Sequence, residues 1–557
     1  MRFASLIKLT GVCLVLFACS QADPLGTPTP AVRIEQPVET EITDTPDVEP
    51  SATVEVLPTI TPTPVPSLWI QPFIPEQLKT SIHLPEGIRQ VQSSLEANLR
   101  LEVSDANPAS RWIYAAVAPF PTLVEGVAFE DVLGTWKGES SGPFSGAPLM
   151  VSEDTREVLS AVWGEPAAGF VQVFPEDELD EAAWNERPSW AVVPFEALDP
   201  RWKVLEVDGF SPLRKDFDAA AYPLTVPISL VGDVSLQEQV NLELAIPASN
   251  RDPSKLTTVM LTGVTALVRG TSNTMYSRGV TYPAEEIGFV LQDADILHVS
   301  NEIPFFADCP LYELNFPELR FCTNPRYIGL LEEIGTDVIE LTGDHFADWG
   351  DEATLYTLEL YNERGWPYYG GGANLEDARR PVMIEHNGNR IAFIGCNAKG
   401  GGYATASNTR PGAGECDWEW METEVNRLKQ EGYQVIATFQ HQEYYEYQVR
   451  EQYRCDFLRL AEAGASIVSG SQAHMPHGFE FSGSSFIHYG LGNLFFDQYN
   501  SMPGTNDAFL DRHVFYDGRY LGAELLAIRF IDYAKPVFMT AEERQTLLEI
   551  VFSASGW

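Results

Sequence analysis

Four short segments concentrate the side chains that can do chemistry: Asn301-Glu302, Gly343-Asp344-His345, His441-Gln442-Glu443 and Gln472-Ala473-His474-Met475-Pro476-His477. Each stands directly behind an apolar run of the length and composition of a buried strand. Carboxylate and imidazole converging from separate loops form the donor set of a two-metal hydrolytic centre, because each cation takes several ligands and a water must lie between them. Any one segment has an ordinary explanation. A histidine at a strand end is commonly a hydrogen-bonded structural residue, Asp344 can cap the turn or helix that follows it, and Glu302 can be a loop carboxylate. The repetition at successive strand ends argues for a common pocket.

The elements that would position these residues are regular. Strands are expected at 257–261, 296–299, 338–341, 390–394, 434–439 and 466–469. Helices are expected at 327–334, 352–364, 419–431 and 452–463, with apolar residues at three- and four-residue intervals. Gly365 and Gly432 follow two of these helices as candidate C-caps. The layout implies a mainly parallel sheet covered by helices, with ligands beyond the carboxyl ends of the strands. Gly370-Gly371-Gly372 follows a helix and precedes Asn374, so it is read as a tight turn and not as a strand-to-helix phosphate loop.

The rest of the chain sets the compartment. With 557 residues, 44% of them hydrophobic, two domains plus extensions are expected. Arg2 and Lys8 precede an apolar run, 9–18, of signal-peptide length, which ends in Leu16-Phe17-Ala18-Cys19. That ending resembles the bacterial lipobox, so residues 1–19 are read as a lipoprotein signal peptide with Cys19 as the lipidated residue, anchoring the protein outside the cytoplasm to the bacterial membrane. Ordinary signal cleavage is the alternative. Residues 20–67, rich in Pro and Thr, cannot bury a core and read as a disordered tether. The 36 Lys and Arg against 79 Asp and Glu give a net charge of −43, which excludes nucleic acid as a partner.

Five of the seven cysteines lie outside the leader. In an oxidising compartment Cys309 with Cys322, and Cys396 with Cys416, read as two local disulfides, although spacing alone does not fix connectivity. Cys455 is left on a helical pattern as a buried thiol. No Cys-x-x-Cys pair supports a structural zinc site. Between residues 68 and 250, strand-like runs at 112–118 and 169–174 alternate with helix-like segments such as 155–163, the pattern of an α/β domain. Trp190-Ala191-Val192-Val193-Pro194-Phe195, the run 202–209 and Tyr222-Pro223-Leu224 resemble phrases of type II periplasmic solute-binding proteins, which implies a small solute as ligand.

From about residue 257 to 555 the chain resembles the capsule-synthesis protein CapA family, built on a calcineurin-like metallophosphoesterase fold. The strongest match is Tyr489-Gly490-Leu491-Gly492-Asn493-Leu494-Phe495-Phe496-Asp497-Gln498. Asn301-Glu302, then His345 with Asp348 and Gly350, the glycine-rich stretch 370–378, His441, and 470–474 follow the family's other motifs in order. The fold class expected is therefore α/β, a metallophosphoesterase-type domain over 255–557 preceded by a smaller α/β domain over 68–250.

The resemblance implies a metal-dependent hydrolase or transferase for an anionic envelope polymer of the poly-γ-glutamate type. Its divalent metal, Mn, Fe or Zn, would be held by Asp344, His441 and His474. Glu302 would orient the site and His345 would donate a hydrogen bond or proton. Arg269, Asn301, Asn374 and Asn493 are the implied substrate-binding residues. Two departures support the alternative of a catalytically degenerate binding or scaffolding protein: Gly263-Val264 stands where the family has Gly-Asp, and Gln472 where it has histidine.

Overall fold

Runs of residues buried on both faces dictate the architecture. Leu256–Leu261, Ile296–Asn301 and Asp507–Tyr516 are buried at every position, so each needs cover on both sides. The structure is a computed structural model that describes residues 65–557 apart from 85, 313, 315–318 and 500. The expected signal peptide, Cys19 and the expected tether up to residue 64 lie outside the described residues.

Two sheets share these buried faces. The larger orders Tyr368–Tyr369, Val338–Glu340, Ile296–Asn301, Leu256–Leu261, Asp507–Tyr516, Arg519–Phe530 and Pro536–Phe538, with the short Val264–Thr265 and Asn493–Phe495 pairing beside it. The smaller orders Val382–His386, Asn389–Asn397, Gln434–Gln440, Ile467–Ser469, Ser485–His488 and Phe479–Ser482. One core lies between the sheets, where Val259, Ile296 and Phe509 meet Phe393, Ile436 and Phe486. The outer face of the larger sheet packs Met275, Leu291, Leu331 and Leu358, from four helices. The outer face of the smaller packs Val425 and Leu460, from Trp418–Gln430 and Glu451–Ala463. The result is a four-layer α/β/β/α domain of the metallophosphoesterase type.

The expected elements are present, but the single mainly parallel sheet is replaced by two mixed ones. Asp507–Tyr516 pairs antiparallel with both Leu256–Leu261 and Arg519–Phe530. An apolar run specifies that a strand is buried and leaves open which strand lies beside it.

The smaller α/β system precedes this domain. Its sheet runs Arg89–Gln90, Ser67–Ile70, Leu99–Val103, Thr225–Gly232, Ser110–Pro119, Trp190–Pro194, Leu149–Ser152 and Val171–Phe174. Its core continues into Leu256, Val514, Tyr516 and Leu521, and residues 64–557 form one compact unit. Phe195 packs edge-on to Tyr516 with centroids 4.9 Å apart, and Arg214 Nε lies 3.1 Å from Glu524.

Both disulfides are present, Cys309–Cys322 and Cys396–Cys416. Cys455 lies on Glu451–Ala463 but is exposed, not buried, because the helix turns Phe457, Leu460 and Ala461 inward.

Candidate metal centre

The strand ends of both sheets meet at one place. Ile296–Asn301 delivers Glu302, Val338–Glu340 leads into Asp344 and His345, Asn389–Asn397 leads to Lys399, and Gln434–Gln440 leads to Glu443. Close approach is built into the backbone: a Cβ at Gly343 would lie 2.8 Å from Glu302 Cα, so only glycine lets these two turns touch. Ligand atoms of Glu302, Asp344 and His345 consequently lie within 4.8 Å of one another.

Glu302 is the key group. It is 1% exposed, and neither carboxylate oxygen has a hydrogen-bond partner. A buried, unpaired carboxylate is costly and calls for a cation or a donor. Burial pushes its pKa up, against the opposing pull of His474 and His345. His474 faces it, with Nε2 4.0 Å from Glu302 Oε1 and 4.0 Å from Glu443 Oε1. The other ring nitrogen, Nδ1, is 2.9 Å from Asn493 Oδ1, while Asn493 Nδ2 donates to the carbonyls of His474 and Thr505. This network puts a proton on Nδ1 and turns Nε2 toward the carboxylates.

Asp344 is held from three sides. Its Oδ2 lies 2.6 Å from Lys399 Nζ, its Oδ1 accepts from Gln440 Nε2 at 2.9 Å, and its N–H donates to Gln440 Oε1 at 2.7 Å. Burial would raise its pKa, but His345, Lys399 and Gln440 hold it below the ordinary carboxylate range. Glu443 lies 2.7 Å from the same ammonium, and there too burial is outweighed, by His474 and Lys399. His345 Nδ1 lies 2.8 Å from Asp348 Oδ2, a buried carboxylate that also accepts from Phe321 N–H at 2.6 Å and Tyr403 O–H at 2.7 Å. Burial alone would lower the His345 pKa. The Asp348 hydrogen bond and the charges of Glu302, Asp348 and Asp344 raise it to about 9.

The other expected residues go elsewhere. His441 lines a small cavity with His474, but its ring packs among Tyr453, Phe439 and Phe457, and its Nε2 is 3.1 Å from Asp456 without making a hydrogen bond. It lines that cavity with Glu443 and His474 and is not among the group formed by Glu302, Asp344 and His345. Asn493 orients His474 and gives its amide N–H groups to the carbonyls of His474 and Thr505. The Arg269 guanidinium is spent on Asp497, with Nε 2.9 Å from Oδ1, and lies over the rings of Phe321 and Phe496. Asn374 caps the helix Leu375–Ala378 through Asp377 N–H. Asn301 Nδ2 donates to Ile303 O at 2.7 Å, leaving Oδ1 buried without a partner.

Lys399 and Gln440 are the site residues that sequence reasoning passes over. The signal was available, since Lys399 stands two residues beyond the strand Asn389–Asn397, and reading that strand end with the others finds it.

The family resemblance implies a metal, and the donor set fits one divalent ion. Glu302, whose oxygens have no partner, and His474 through Nε2 would hold it. The set does not fit a second ion in the same way. Val264 is apolar and buried, and the Gln472 amide donates to Ser300 Oγ at 2.6 Å.

Comparison with known proteins agrees with the resemblance. Residues 227–498 match the model of the bacterial capsule synthesis protein family PGA_cap. The chain is 24% identical over 261 residues to the capsule biosynthesis protein CapA of Bacillus anthracis, covering 46% of this chain and 63% of that one. It is 26% identical over 199 residues to the PGA biosynthesis protein CapA of Bacillus subtilis, covering 35% and 52%. The match thus spans about half to under two thirds of each relative. Among solved structures, the NAD nucleotidase NadN of Haemophilus influenzae overlaps 53% of this chain and 55% of its own at 11% identity and a TM-score of 0.29. With its motifs in order and the matching model across them, the C-terminal half of this chain is a domain of the CapA capsule-synthesis family.

Proposed function

We propose that this protein is a lipid-anchored component of the cell surface, held through Cys19, that acts on an anionic extracellular polymer of the poly-γ-glutamate type as a metal-assisted hydrolase or transferase. The observation that carries this reading is the unpartnered Glu302 carboxylate facing His474 Nε2 inside a capsule-synthesis domain. Glu302 and His474 would hold the ion, which when bound supplies Lewis-acid polarisation of a substrate oxygen and offsets the repulsion between a polyanion and this acidic chain. His345, fixed by Asp348, donates a hydrogen bond or proton to the oxygen on which charge develops. Asn493 keeps the His474 ring in its binding orientation.

The buried Val264 and the engaged Gln472 favour a second reading, in which the same centre binds the polymer without turning it over. The experiment separates the two. Purified full-length protein in detergent is incubated with poly-γ-glutamate and Mn²⁺ or Zn²⁺, and both polymer length and co-sedimentation are followed, with His345→Ala and Glu302→Gln alongside. Shortening or transfer that both substitutions abolish is expected. Retention of the polymer at unchanged length supports the binding reading, and neither retention nor a change in length refutes both.

A further inference from the structure

Two carboxylates flank one ammonium in this centre. Lys399 Nζ lies 2.6 Å from Asp344 Oδ2 and 2.7 Å from Glu443 Oε1, bridging two carboxylates supplied by loops of different sheets. A positive charge shared between two carboxylates is what a second metal ion would create there. Val264 offers no donor to a second ion, and Gln472 gives its amide N–H to Ser300 and keeps only Oε1 without a partner.

The lysine is placed by the fold and does not wander in from a loose surface loop. Its strand, Asn389–Asn397, runs parallel to Gln434–Gln440 in a register that sets Asn397 beside Gln440. Beyond the strand, Ala398 N–H donates to Gln440 O at 2.7 Å and Gly400 N–H to Asn397 Oδ1 at 2.8 Å, fixing the backbone on both sides of Lys399. Asn397 Nδ2 in turn donates to Thr342 O at 2.7 Å, tying the same turn to the loop that carries Asp344. Gln442 Nε2 donates to the Lys399 carbonyl at 3.1 Å, tying it to the loop that carries Glu443.

We propose that the Lys399 ammonium is the resident second cation of this centre, so that Asp344 and Glu443 are neutralised from within and the site takes one divalent ion, between Glu302 and His474. The single ion rests on the metal-assisted reading above; the place of Lys399 rests on its own contacts. An ammonium neutralises these carboxylates through hydrogen bonds but offers no open coordination position. The Asp344–Glu443 side of the centre therefore binds and orients, and any Lewis-acid work falls to the Glu302–His474 side. A divalent ion cannot share Asp344 and Glu443 with a fixed positive charge at that distance, so the lysine also acts as a selector for metal number.

Metal stoichiometry tests this without reference to activity. Full-length protein is stripped with chelator, loaded separately with Mn²⁺ and Zn²⁺, gel-filtered, and its metal content measured by plasma mass spectrometry and by calorimetric titration. One ion per chain is expected for the wild type and for Lys399→Arg, which keeps the charge. Two are expected for Lys399→Met, which keeps the chain length and removes it, and Glu302→Gln should lower affinity for the remaining ion at least tenfold. Thermal melting checks that the variants are folded, and Lys399→Gln replaces Lys399→Met if that chain does not fold. Two ions in the wild type, or the same count in the wild type and in the neutral variants, would overturn the proposal. No ion in the wild type with one in Lys399→Met would leave the lysine in its place and refute the metal-assisted reading instead.

Discussion

Acid should destabilise this protein through two histidines buried neutral, and His513 gives the cleaner test. It is fully buried in the strand Asp507–Tyr516, with Nδ1 2.9 Å from Tyr520 Oη and Nε2 without a partner, and its ring packs 5.5 Å from that of Phe486. Burial lowers its pKa to about 4, outweighing the attraction of Asp511. The folded pKa thus lies below the value of about 6.5 expected for the unfolded chain. The stabilising contribution is present above pH 6.5 and is lost as pH falls toward 4, because the unfolded chain takes up a proton that the folded one refuses. At pH 5 this loss is about 2 kcal/mol for His513, at about 1.4 kcal/mol per pH unit. His477, lowered to about 3 by burial, adds a similar amount. His513→Phe removes the titrating group at the cost of a partner for Tyr520, about 1 kcal/mol at neutral pH. Urea unfolding at pH 7.5 and pH 5 should then show the variant losing about 2 kcal/mol less than wild type between the two. The paired comparison cancels every carboxylate common to both chains. Equal losses in the two proteins would refute the assignment of acid sensitivity to this buried imidazole.

Asn493→Ala should weaken metal binding about 10- to 100-fold, because it frees the His474 ring to rotate and leaves its Nδ1–H unpaired. Calorimetric titration with Mn²⁺ reads the loss, and an unchanged affinity would contradict the orienting role. Replacing Cys309 and Cys322 by serine should lower stability by about 3 kcal/mol, the chain-entropy value for a loop of this length, and should raise the mobility of Phe321 against His345. A melting temperature below that of the oxidised wild type is expected, and one equal to it would count against the estimate.

Much of this protein is legible without coordinates. The apolar runs at 257–261, 296–299 and 434–439 become strands because their composition demands burial on both faces. The strand-end rule brings Glu302, Asp344, His345, Glu443 and His474 together, and both disulfides join the sequence-local pairs that an oxidising compartment suggests, a pairing that spacing alone did not fix. Pairing is a different matter. Nothing in the run 507–516 says that it lies antiparallel beside Leu256–Leu261, because hydrophobicity specifies burial and not a neighbour. Orientation is equally a tertiary decision. His441 and Glu443 sit two residues apart behind one strand, yet the aromatic cluster of Phe439, Tyr453 and Phe457 takes the imidazole and leaves the carboxylate for the site. Asn493, Arg269 and Asn374 look like ligand-binding groups in sequence and are consumed by His474, Asp497 and a helix terminus. A polar side chain has too many partners available for its type alone to say which it will meet. The sequence by itself determined the strand-end chemistry that converges here; only the packing of two sheets against each other decided that a lysine would stand between Asp344 and Glu443, because that contact joins loops that no local pattern connects.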